Sequence, residues 1–191
     1  VQLKENNPSH EGDEEYNWFL TVLFPSSQLD ILPYNRVVFD LNGNSVEELL
    51  TKLEALGTIS KSDTQEPKTS GSCCIYLGRS YGWYLLTFKD IDFADPIASL
   101  DVDLLQQRVL SPLLGIGDPR SDTRIDFVGG IRGTSELEKR VDDGDAAIAF
   151  SMYHTTIDQL LDVADANLIM PPKSTWFEPK LRSGLFIHEL S

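Results

Sequence analysis

Residues 73–88 read CCIYLGRSYGWYLLTF. Two apolar and aromatic runs, Cys73 to Leu77 and Trp83 to Phe88, flank the turn Gly78-Arg-Ser-Tyr-Gly82. Two such runs across a short glycine-bounded turn predict a β-hairpin. Upstream, Tyr16 to Phe24 (YNWFLTVLF) is an aromatic run that stops at Pro25 and reads as a buried strand. Leu29 to Phe39 reads as a second strand, its hairpin partner across Pro25-Ser26-Ser27. Next, Ser45-Val-Glu-Glu48 is a capping box: the Ser45 hydroxyl takes an orphan amide while Glu48 reaches back. Leu49, Leu50, Leu53 and Leu56 mark one face of the helix that follows, and Gly57 is expected to stop it. Residues 61–71 form a polar loop.

Downstream of the hairpin, Asp101 or Ser99 is placed to cap a helix carrying Val102, Leu105 and Val109. Gly115 to Asp122 is turn chemistry throughout. The last third alternates: a strand over Arg124 to Val128, a glycine loop over Gly129 to Gly133, a helix over Thr134 to Asp143 and a strand over Ala146 to Met152. A second capping box, Thr156-Ile-Asp-Gln159, opens a helix that runs through Ala166. Residues 168–182 read as irregular, and Leu185 to Leu190 as a closing strand. The pattern predicts an α+β (mixed α/β) fold, a largely antiparallel or mixed sheet with about four helices packed on it. Residues 1–15, polar and acidic, read as a flexible lead-in, and residues 16–191 as a single domain.

Apolar residues make up 41% and charged residues 24% of the 191, ordinary globular values. The net charge of −14 argues against nucleic-acid binding, which rests on Lys and Arg neutralising phosphates. The two cysteines are adjacent, Cys73 and Cys74, and neighbours rarely meet disulfide geometry. One is expected to pack inside a strand. A chain without a disulfide framework suits a reducing, cytoplasmic compartment. No apolar run approaches a membrane span. No signal peptide opens the chain and no Met begins it, so a trimmed piece of a longer protein is expected.

Two stretches carry most of the chemistry. The first is the strand, glycine loop and helix start over Arg124 to Thr134. Gly129 and Gly130 allow backbone amides to approach a ligand, the helix start leaves amides unpaired, and Arg132 adds a cation for phosphate or carboxylate. Otherwise the glycines serve only a tight connection. The second is Met170 to Arg182 (MPPKSTWFEPKLR). Its candidate ligand contacts are Lys173, Ser174, Thr175, Trp176, Glu178, Lys180 and Arg182. Cations, hydroxyls and aromatics together suit a phosphate attached to an organic group. A phosphate loop would need glycine where Asn167 and Pro172 stand, so the segment is not one. The competing reading is a rigid wrap anchored by Trp176 and Phe177. Arg120, in Asp118-Pro-Arg-Ser-Asp122, and Arg36, on the second strand, are further candidates beside turn and solvated-face readings. His10, His154 and His188 lack metal spacing, so no metal site is expected. No catalytic residue is assigned.

Residues 16–43, 115–133 and 170–188 resemble the C-terminal half of the conserved domain-of-unknown-function family 1015. The resemblance implies a longer protein whose N-terminal half is ParB/sulfiredoxin-like and carries an Asp-Gly-His-His-Arg motif. It also implies a cytoplasmic enzyme that handles a phosphorylated metabolite or nucleotide, with phosphotransfer tied to serine metabolism as its specific form. This stretch itself would hold no cofactor, and the intact protein would use a nucleotide with Mg. The expected partners are a small anionic ligand and the N-terminal half of the same protein, with no membrane and with a homodimer open. Rival readings are a ParB-like nucleic-acid-associated protein and a purely structural or dimerisation domain.

Overall fold

The computed structural model describes residues 2–23, 25–180, 184 and 186–189. The chain divides into two compact units, residues 31–178 and, smaller, residues 1–30 with 179–191. In the smaller unit helix α1 (Gln2–Glu5) is followed by 3-10 turns at Glu15–Asn17 and Ser26–Gln28. His10 lies 3.0 Å from the Tyr16 hydroxyl and 2.8 Å from the Glu14 carboxylate. The buried strand expected over Tyr16 to Phe24 is not formed. Residues 18–23 carry no strand, and Trp18, Phe19, Leu20, Val22 and Leu23 are exposed; Phe24 lies outside the described residues. Apolar content favours burial, but a strand also needs a neighbour to take its amides, and the expected partner pairs elsewhere. The closing strand expected over Leu185 to Leu190 is also absent at Phe186 to Glu189, with Leu185 and Leu190 outside the described residues.

That expected partner, Leu29 to Phe39, is broken at Pro33 into β1 (Asp30–Leu32) and β2 (Tyr34–Val38). Proline has no amide to give a ladder, and the two pieces enter different sheets. The main sheet adds β3 (Gly57–Lys61), β4 (Ser72–Tyr76), β5 (Trp83–Phe88), β6 (Ile125–Gly129) and β7 (Ile148–Met152), in the order β3-β5-β4-β7-β2-β6. Every pairing in it is antiparallel. The hairpin of residues 73–88 forms as expected, with Cys73 opposite Leu86 and Tyr76 opposite Trp83. β1 pairs with β8 (Trp176–Glu178), a short strand inside the stretch expected to be irregular.

β4 and β7 are buried at all five positions, as central strands covered on both faces must be. Cys73 and Cys74 are both free and buried, and they point to opposite layers. On one face pack α2 (Val46–Glu54) and α3 (Asp101–Leu105), the latter continuing as a π-helical turn over Gln106–Leu110. Leu49 and Leu53 of α2 are fully buried there, each worth about 1.5–3 kcal/mol of apolar transfer. On the other face packs α4 (Gly133–Asp142) through Leu137. α5 (Ile157–Asp165) places Val163 against Leu100 and Val102.

Both capping boxes form, at Ser45 with Glu48 and at Thr156 with Gln159. Two local expectations are corrected. Gly57 does not stop α2, which ends at Glu54 with Ala55 as its cap. Gly57 instead opens β3, where a Cβ would meet the Thr87 carbonyl oxygen at 2.0 Å. At α3 the cap position is Leu100, without a side-chain bond. The Asp101 carboxylate turns to the loop before β4, accepting from Gly71 N–H (2.7 Å), Ser72 N–H (3.2 Å) and the Ser70 hydroxyl (2.7 Å).

Candidate functional site

Position 36 sits in the middle of β2, opposite Phe127 on β6 and Phe150 on β7. Strand alternation puts it on the same face as Val38, the face covered by α2 and α3. An apolar residue would be ordinary there. The residue is Arg36, only 3% exposed. Its guanidinium donates to the Tyr34 carbonyl and, at 3.1 Å, to the Lys173 carbonyl, and it lies 5.6 Å from the Phe127 ring centre. No carboxylate reaches it among the described residues. Burial pulls its pKa down to about 10, so it stays charged at neutral pH.

A buried charge without a counter-charge is costly. Arg36 lines a cleft of about 370 Å³ on the sheet face. The walls are Val102, Asp103, Gln106 and Gln107 from α3 and its π-helical turn, residues 117–120, Phe127, and residues 169–172. Among the described residues no buried side-chain nitrogen or oxygen lacks a partner. The Arg36 Nε donor, which neither carbonyl takes, therefore is not sealed in protein.

The cleft owes its walls to local chemistry. The π-helical turn begins at Gln106, whose amide donates to the carbonyls of Ile116 (2.9 Å) and Gly117 (3.0 Å). That bond fixes the start of the 117–120 turn. Arg120 itself is exposed and bidentate to Asp118, Nη2 to Oδ2 at 3.0 Å and Nε to Oδ1 at 3.1 Å. Opposite, Lys173 takes a left-handed φ of 57°. Among the described residues the other non-glycine residues that do so are Asn42, Asp90 and Asn167, types that tolerate it. This turn aims the Lys173 carbonyl at Arg36. Its ammonium lies 5.3 Å from the Tyr34 ring centre and 5.7 Å from that of Phe127. Phe127 thus carries cations from two distant parts of the chain, a cation–π arrangement.

The remaining candidates hold the scaffold. Ser174 is buried, its hydroxyl donating to the Pro171 carbonyl at 2.5 Å while its carbonyl accepts from Thr155 at 3.0 Å. Thr175 is half-buried beside it. Trp176 packs edge-on to Tyr34 at 5.2 Å and donates to the Glu178 carboxylate at 3.1 Å. Gly129 meets this ring, since a Cβ there would lie 2.4 Å from it. At Gly130 a Cβ would come within 2.8 Å of Pro33, and the Gly130 amide is spent on the Pro33 carbonyl. The two glycines thus serve close packing. Arg132 is exposed and sits 3.9 Å from Glu136, one helical turn on. Lys180 is exposed in the smaller unit, and Arg182 lies outside the described residues.

The structure thus brings Arg36 and Arg120 to one cleft, with residues 169–172, just ahead of Lys173, as a wall; Lys173 itself and the glycine loop stay out of its lining. Asp103, Gln106 and Gln107 had no distinct signal in the sequence, because polar residues on a helix usually face water. His154 lies against Tyr153, ring centres 4.5 Å apart and tilted by 31°, and lines no part of the cleft. Among the described residues no group of three or more His, Cys, Asp or Glu could hold a metal, and no helix is long and apolar enough to cross a membrane.

A family model described as "Protein of unknown function (DUF1015)" matches residues 1–103. It takes in the first of the three family-like stretches and ends within α3. No curated protein matches the chain. Among solved structures, one described as a free serine kinase mutant in complex with AMP is similar, with a TM-score of 0.44 and 13% identity. The likeness covers 80% of this chain and 55% of that one, so this chain spans about half the length of that neighbour.

Proposed function

This chain belongs to the DUF1015 family, and from that premise we propose that its cleft binds a small phosphorylated metabolite through the phosphate. The observation that carries this reading is Arg36, a buried cation with no carboxylate partner, lining the cleft. A phosphate at that point supplies the missing counter-charge and accepts the donors the carbonyls leave over. Lys173 adds a second cation beside the shared Phe127 ring. The cleft's size suits a small metabolite. In its finer form the reading makes the chain the phosphate-holding part of a cytoplasmic phosphotransferase, working with a nucleotide and on a serine-related substrate. Phosphoryl transfer depends mainly on positioning and charge neutralisation, which Arg36 and Lys173 provide. The reading needs no metal from this chain's own residues.

The test is calorimetric titration with ethyl phosphate and with phosphoserine. Binding in the micromolar to millimolar range is expected. A charge-assisted hydrogen bond is worth about 1.5–3 kcal/mol, so Arg36→Met should weaken binding about 10- to 150-fold. Lys173→Ala, removing a more exposed cation, should weaken it several-fold. No heat at millimolar ligand, or full affinity in Arg36→Met, would sink the proposal.

A further inference from the structure

The charges lining the cleft do not cancel pairwise. Two arginines and two aspartates face it: Arg36, Arg120, Asp103 and Asp118. Asp118 and Arg120 neutralise each other through their bidentate contact. That leaves Arg36 without an anion and Asp103 without a cation. Among the described residues the one side-chain partner of Asp103 is the Gln107 amide, at 3.2 Å. Asp103 stands in the first turn of α3, where a carboxylate also favours the helix dipole. Solvent exposure would suffice for that role, yet Asp103 is only half exposed and faces the cleft. Burial, and secondarily the nearby Asp95, push its pKa upward. Its surroundings therefore disfavour the negative charge, and a cation beside it would reverse that.

We infer that the natural ligand is amphoteric: its anionic group meets Arg36, and a protonated amine at the other end meets Asp103. A plain dianion would leave Asp103 repelling it. An amine hydrogen-bonded to the carboxylate completes both half-pairs at once. The ligand class is a small aminoalkyl phosphate or amino acid phosphate, not a simple phosphomonoester. This inference rests on the phosphate reading of the same cleft.

Phosphoethanolamine and ethyl phosphate separate the two. They share the phosphate and the two-carbon stem and differ in the amine. On the 191-residue chain, phosphoethanolamine is expected to bind at least tenfold tighter. In Asp103→Asn the preference should vanish, with ethyl phosphate bound as well as before or better, while circular dichroism shows the fold retained. Equal affinities in the wild-type chain would overturn the amine contact and leave the phosphate site standing. A preference that survives in Asp103→Asn would place the amine elsewhere and overturn it too. Binding of neither compound would end both readings. If Asp103→Asn fails to fold, Asp103→Ala read by the same two titrations takes its place, and equal affinities in the wild-type chain overturn the amine contact in either case.

Discussion

Replacing Arg36 by methionine separates a ligand-holding charge from a structural one. Burial lowers the guanidinium pKa from its ordinary value to about 10. That shift corresponds to about 3 kcal/mol by which the folded environment disfavours the charge. Methionine, similar in reach and apolar, removes this cost. It also removes the bonds to the carbonyls of Tyr34 and Lys173, a loss of about 1–3 kcal/mol. The expected outcome runs from unchanged stability to about 2 kcal/mol more, in line with buried charges replaced by apolar residues. At about 2–4 °C per kcal/mol for a chain of this size, Tm should rise by up to about 8 °C. Urea unfolding followed by Trp fluorescence gives the free energy, and calorimetry with ethyl phosphate gives the binding. The signature is equal or greater stability with binding lost. A variant more than about 2 kcal/mol less stable that keeps full phosphate affinity would refute the reasoning, because Arg36 would then be a framework residue.

Three further changes test the scaffold. Gly129→Ala places a methyl 2.4 Å from the Trp176 ring; overpacking of this kind costs about 1–3 kcal/mol, visible as a lower urea midpoint and a shifted Trp emission. Asp101→Ala strips the acceptor from Ser70, Gly71 and Ser72, so thermal unfolding should show a loss of about 2–4 kcal/mol as two buried amides lose their partner. Ser45→Ala opens the capping box of α2 and should cost about 0.5–2 kcal/mol, with faster hydrogen exchange confined to the first turn of that helix.

Local chemistry made much of the fold legible. The boxes at Ser45 and Thr156 and the hairpin across Gly78 to Gly82 depend on residues a few positions apart, and each formed as the spacing predicted. Where a partner lay far along the chain, the pattern alone misled. The run Trp18 to Leu23 has strand composition, but its expected neighbour is cut at Pro33 and used by β6 and β7. Gly129 and Gly130 look like an anion cradle until Trp176 and Pro33, brought in by the fold, fill the space beside them. Arg36 was visible as a cation on a strand. Its burial was not, because that depends on β7 and β6 flanking β2 and on α3 covering it. Asp103 acquires meaning only from Arg36, and no periodicity links a helix position to a strand position 67 residues away.

The pairing of β1 with β8 has a consequence in time. Between these strands run about 145 residues of chain, and closing a loop of that length costs roughly 4 kcal/mol of entropy. Two three-residue strands cannot meet this alone. The clasp is therefore expected to close after the hairpins of the main sheet have drawn its ends together, and to be the more easily opened pairing. Residues 169–172, a wall of the cleft, lie just ahead of β8. A nascent chain that has finished β7 already has every strand of its main sheet, but the wall of the cleft at residues 169–172 is held in place only once the last strand arrives.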